Sequence, residues 1–171
     1  MLAWSNFTVY AYETRAAAAR APIYVRDDVV ANTELETVTD GRLDVRFIDG
    51  TQLIVGSASK VKVDRFVFDP NRGAGEVALN VGKGVMRFVT GRMAASSYRL
   101  ATPTATLGVR GTDLVVSLSE SGETTVAVLD GSVAFTPTGG TTTVVDAGSD
   151  RFDQQWRGDS RANDRGSGIV G

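Results

Sequence analysis

The sequence predicts an all-β protein: a single β-solenoid-like or twisted β-sandwich domain of short strands, with a short N-terminal extension and a polar C-terminal tail. Three observations carry this. Val, Ile and Thr make up roughly a quarter of the residues, and their branched side chains favour strands over helices. Gly occurs 19 times and punctuates the chain at short intervals. Between the glycines, apolar and polar residues alternate.

Residues 1–21 form the extension. Its stretch from Glu13 to Ala21, alanine-rich and closed by Pro22, is the best helix candidate, as a short helix or as a linker. Small residues at Ala16 to Ala21 resemble a secretory cleavage site. Asn6, Thr8, Glu13 and Arg15 break the apolar stretch such a signal needs, so either the start is cytosolic or the true start lies upstream.

The β domain is placed at 22–149. Leu43, Val45 and Phe47 alternate with Asp44 and Arg46. Gln52 to Val55 follows the Asp49-Gly50 turn, and Val61 and Val63 alternate with lysines and Asp64. Further strands are read at Val85 to Val89, Leu114 to Leu118, Thr124 to Leu129, around Val133 and Phe135, and at Thr141 to Val145. Lys83-Gly84-Val85-Met86-Arg87-Phe88 echoes Asp130-Gly131-Ser132-Val133-Ala134-Phe135 in a Gly-x-x-x-Phe frame, as stacked strand–turn–strand units would. Residues 150–171 form the polar tail, with Phe152 and Trp156 as its large apolar residues. Its Arg157-Gly158-Asp159 triplet is too short a word to carry an adhesion function.

Composition bounds the function. The chain has 171 residues and a mass of 18.1 kDa, enough for one domain with its own core. Lys+Arg is 18 and Asp+Glu is 20, a balance that argues against general nucleic-acid binding. The absence of Cys and His removes thiol nucleophiles, imidazole bases, serine–histidine triads, the usual zinc sites and disulfides. No catalytic, cofactor or metal residue is assigned. No apolar run reaches the roughly 18 residues of a membrane helix, so direct membrane insertion is not expected.

Three segments stand out. Asp64-Arg65-Phe66-Val67-Phe68-Asp69-Pro70 reads as a strand leaving through aromatics into an Asp-Pro turn. Asp64, Asp69, Asn71 and Glu76 carry oxygen ligands, but their spacing matches no calcium loop. Gly82-Lys83-Gly84 lacks the Ser or Thr and the helix of a phosphate loop, and reads as a turn or bulge. Thr102-Pro103-Thr104-Ala105-Thr106-Leu107-Gly108-Val109-Arg110-Gly111-Thr112-Asp113 would align its threonines on one face if the strand is continuous. Arg110, between glycines, can bind a carboxylate bidentately. An internal ion pair with Asp49, Asp64, Asp69 or Asp113 is the favoured reading, and a partner's carboxylate is the functional one.

The first of these segments, and the third from Thr102 to Thr112, resemble the FecR family of bacterial envelope proteins. So do Gly84-Val85-Met86-Arg87-Phe88-Val89-Thr90-Gly91, Asp28-Val29-Val30-Ala31-Asn32-Thr33-Glu34-Leu35-Glu36-Thr37 and Phe47-Ile48-Asp49-Gly50-Thr51-Gln52-Leu53. The resemblance covers roughly residues 22–148, with the motifs in order. It implies a periplasmic, mostly β domain. The best-known relatives are sensors in iron-uptake signalling, relaying the state of an outer-membrane transporter to an extracytoplasmic sigma factor. This sequence shows no cytoplasmic sigma-binding segment and no transporter-docking domain. It looks more like the stand-alone FecR-domain proteins.

The expected function is therefore a non-enzymatic interaction or sensor module of the envelope. Its expected partner is a membrane sensor, a transporter or a sigma-regulator component. Asp64, Phe66, Phe68, Asp69, Arg110 and Thr112 are the expected partner-binding residues. The alternative is a polysaccharide-binding or carbohydrate-active β-solenoid, with a glycan as ligand; hydrolysis would need two carboxylates roughly 5–9 Å apart. No cofactor is expected under either.

Overall fold

A computed structural model describes residues 11–147. The polar tail and the first ten residues of the extension lie outside the described residues. Eleven strands join in one hydrogen-bonded sheet. They are β1 (Ala11–Arg15), β2 (Ala21–Pro22), β3 (Thr33–Thr37), β4 (Leu43–Arg46), β5 (Gln52–Val55), β6 (Lys60–Asp69), β7 (Ala74–Val89), β8 (Tyr98–Ala101), β9 (Ala105–Leu118), β10 (Thr124–Pro137) and β11 (Thr143–Asp146). One 3-10 turn, Ala95–Ser97, precedes β8. The all-β expectation is what the structure shows.

The long strands change partners along their length. The first half of β7 lies between β6 and β8; its second half lies between β5 and β9. β9 runs beside β10 throughout and passes from β8 to β7 on its other side.

Each of these strands also switches the face it buries. On β9, Ala105, Leu107 and Val109 are buried, then Thr112, Leu114, Val116 and Leu118. On β7 the series is Val77, Leu79 and Val81, then Met86 and Phe88. On β10 it is Thr124 and Val126, then Val133 and Phe135. An uninterrupted strand alternates faces strictly, so such a switch needs one extra residue. β-Bulges supply it, and the β9–β10 register is broken around Asp130.

The Gly-x-x-x-Phe echo marks two of these bulges. Gly84 and Gly131 have φ of +82° and +79°, and Phe88 and Phe135, four residues on, are both fully buried. Gly131 also has no room for a side chain: a Cβ there would sit 2.1 Å from the Gly111 carbonyl oxygen.

Two open local readings are decided by the structure. The alanine-rich stretch is not a helix. Its first residues belong to β1, which pairs with β3, and Ala17 turns the chain with φ +58°. Pairing with β3 overrides a local preference worth only tenths of a kcal/mol per residue. The threonine run is not one continuous strand. Thr102 and Thr104 form a turn in which the Ala105 amide donates to Thr102 Oγ1 at 3.0 Å. Both hydroxyls lie 2.8 Å from Thr124 Oγ1, while Thr106 points outward.

Candidate functional site

The β4–β5 hairpin anchors the site. Its turn closes through Phe47 N to Thr51 O and Gly50 N to Phe47 O, both 2.9 Å. That geometry fixes Asp49 with its carboxylate inward. The buried carboxylate accepts from Thr51 Oγ1 at 2.6 Å, Thr51 N at 3.0 Å and the Tyr98 hydroxyl at 3.0 Å. Tyr98 accepts in turn from Met93 N at 3.1 Å, and Thr51 Oγ1 from Gly91 N at 3.0 Å. Burial pushes the Tyr98 hydroxyl above its ordinary pKa, and the Thr51 and Met93 contacts oppose that shift. This network ties the hairpin to the loop before β8. Its polar groups are consumed internally, so it positions the surface around it.

That surface is a groove of about 1010 Å³ between the 23–29 loop and β4. Ile23, Val29, Leu43, Val45, Phe47 and Phe66 supply its apolar lining. Phe47 and Phe66 stack with centroids 4.8 Å apart. Arg26, Asp27, Arg42, Asp44 and Arg46 form a rim of mixed charge. Tyr24, Val25 and Ile48 are 54%, 93% and 73% exposed beside it. Exposed apolar residues gathered beside an apolar groove make it the candidate binding surface among the described residues.

Of the six residues expected to bind a partner, only Phe66 lines the groove. Phe68 is half-buried and packs on the core. Asp64 pairs with Lys62 at 2.8 Å. Asp69 accepts from Asn71 N at 2.9 Å and lies 3.6 Å from Arg72. Arg110 and Thr112 lie on β9, and β7 separates that strand from β6.

The internal ion pair favoured for Arg110 is not formed. Asp113 is held by Arg87, with contacts of 2.8 and 2.5 Å, and Asp49 is buried in its own network. The hydrogen bond from Arg87 lowers the Asp113 pKa and raises that of Arg87. Arg110 is exposed and has no side-chain partner among the described residues. Thr112 is buried. Its hydroxyl faces Arg110 O at 2.8 Å and Ser132 O at 2.7 Å, so it fixes the backbone that presents Arg110.

Sequence reasoning missed the groove because its wall is a loop. The one available signal is the apolar run Ile23-Tyr24-Val25 between Pro22 and the charged Arg26-Asp27-Asp28. Among the described residues, no three His, Cys, Asp or Glu side chains gather as metal ligands, and no helix is long and apolar enough to cross a membrane.

The family described as FecR protein matches residues 33–134. No curated protein matches the sequence. Two crystal structures of a protein from Parabacteroides distasonis named as an anti-sigma factor, at 1.65 and 2.50 Å resolution, share the fold. Their TM-scores are 0.51 and 0.52, at 17% and 16% identity. Each alignment covers 67% of this chain and 51% of that one, so the shared region spans about half the length of those structures. The family match takes in β3 to β9 and most of β10, together with the Asp49–Tyr98 network and Phe66, and on that ground the chain belongs to the FecR family.

Proposed function

We propose that this chain is a non-enzymatic periplasmic FecR-domain protein, a protein-interaction or sensor module in envelope signal transduction. The family match over residues 33–134 carries the reading. The fold shared with a protein named as an anti-sigma factor supports a regulatory role. The groove supports recognition of a partner, since it pairs an apolar floor with a charged rim.

The working unit is the β domain, 22–149, to which β1 adds one strand. Within the all-β class we favour the twisted sandwich. Every pairing except β7–β8 is antiparallel, whereas solenoid rungs stack in parallel. The contact residues are Phe66 in the groove and Arg110 on β9, with Asp64, Phe68 and Asp69 on the strand and turn that carry Phe66. Thr112 acts from behind, by holding Arg110. The partner is a membrane sensor, a transporter or a sigma-regulator component. Iron-uptake signalling is the first branch to test.

Deleting the gene and profiling transcripts under iron-replete and iron-limited growth tests this. A changed set of genes under an extracytoplasmic sigma factor is expected. An unchanged profile in both media, with the tagged chain recovered outside the periplasmic fraction, would overturn the reading.

A further inference from the structure

Among the described residues, strand β4 is an open edge. It pairs with β5 alone, in the register Leu43↔Val55, Asp44↔Ile54, Val45↔Leu53 and Arg46↔Gln52. The bond from Phe47 N to Thr51 O sets the phase of the ladder. In an antiparallel pair, hydrogen-bonded positions alternate, so Leu43 and Val45 also direct their amides to β5. The N–H and C=O groups of Asp44 and Arg46 therefore face away from the sheet. No backbone partner takes them among the described residues.

The groove runs along this same edge: every residue from Arg42 to Ile48 lines it. Leu43, Val45 and Phe47 turn to the core side, while Arg42, Asp44, Arg46 and Ile48 are exposed. Open edges are usually covered, shortened or charged to prevent pairing. This one is charged on its outer face and apolar where it meets the groove.

We propose that β4 accepts an extended segment of a partner protein as an added strand, with the segment's alternate side chains filling the groove. This rests on the interaction reading above. The chemistry of the segment follows from β4. Side chains beside Leu43 and Val45 face the groove and must be apolar. Those beside Arg42, Asp44 and Arg46 face solvent. Arg42 and Asp44 already pair at 3.2 Å, whereas Arg46 has no partner among the described residues. The complementary segment carries a carboxylate opposite Arg46. Backbone bonds supply affinity and the alternating pockets supply specificity. Four residues of β4 span about 13 Å, enough for a segment of four or five residues.

The probe is an eight-residue peptide of alternating valine and glutamate, added to the isotope-labelled protein. Controls are an alternating valine–lysine peptide and a valine–glutamate peptide with its valines grouped. Amide exchange at Asp44 and Arg46 should slow at least tenfold with the probe and stay unchanged with either control. Arg46→Pro removes one outward N–H at an edge position that tolerates proline, and should abolish probe binding without moving the thermal midpoint. The proposal falls if the probe leaves both amides unprotected, or if the lysine peptide protects them equally. It also falls if they become protected with rising protein concentration alone, which would mean a second copy is the occupant. Envelope capture separates the two readings. A partner held equally by the wild type and Arg46→Pro sinks strand addition and leaves the signalling role standing. Probe protection without any envelope partner does the reverse.

Discussion

The Tyr98 hydroxyl donates to the buried Asp49 carboxylate at 3.0 Å, bridging residues 49 positions apart in the chain. This bond joins the β4–β5 hairpin, whose first strand edges the groove, to the loop entering β8. A buried carboxylate without a cation is tolerable only when hydrogen bonds satisfy it, and Thr51 and Tyr98 do so.

Asp49→Ala should therefore cost about 2–4 kcal/mol, because it orphans the Tyr98 and Thr51 donors. The thermal midpoint should fall by about 4–16 °C. Calorimetry checks this, and a fall of under a degree would show that the network does not hold the hairpin.

Tyr98 predicts the alkaline limb of stability. Burial raises its pKa in the folded state above the ordinary value of 10.0. The neutral hydroxyl is thus favoured in the fold. Its contribution is fully present below the unfolded pKa and is lost as pH rises through the folded one. Tyr98→Phe should flatten the decline in stability as pH rises past 10.0 relative to the wild type, as read by denaturant melts.

Asp113 predicts the acid limb. The hydrogen bond from Arg87 lowers its folded pKa below 3.8, with burial opposing. The pair's contribution is present above the unfolded pKa and disappears as pH falls through the folded value. Both side chains are partly solvent-exposed, so salt should weaken the effect. Asp113→Asn should lose little stability at neutral pH and show a shallower acid decline, followed by urea midpoints at low and high salt.

Gly131→Ala should cost about 1–3 kcal/mol, since both the left-handed backbone and the Gly111 carbonyl oppose a Cβ. Gly122→Ala has a similar φ of +84° but open space around it, and should cost about 1 kcal/mol or less. Equal losses would remove the close β9–β10 approach as the cause.

The sequence revealed the fold where burial is apolar. β4 and the ends of the long strands alternate visibly, and the two Gly-x-x-x-Phe frames, which suggest strand–turn–strand units, lie at bulges. The pattern of β3 does not announce a strand, because two of its inward residues, Thr33 and Thr37, are threonines. Thr37 is buried through bonds to Gly56 O and Ser59 N, which no hydropathy pattern reveals. The long strands look like fragments in the sequence because each bulge resets the alternation. Phe66 stands out in the sequence through its Phe-Val-Phe run, and the structure places it in the groove. The groove around it is not legible there, since the chain brings the 23–29 loop beside β4 only through tertiary packing.

The most direct test of the central claim is cross-linked capture from envelope extract of the source bacterium, with the bound protein identified by mass spectrometry. The wild type should recover a transporter, membrane sensor or sigma-regulator component. Arg110→Ala, which removes no internal bond, should lose that partner with its thermal midpoint unchanged. Recovery of wall or glycan material alone, by both forms, would contradict the account and move the protein to the carbohydrate-binding class.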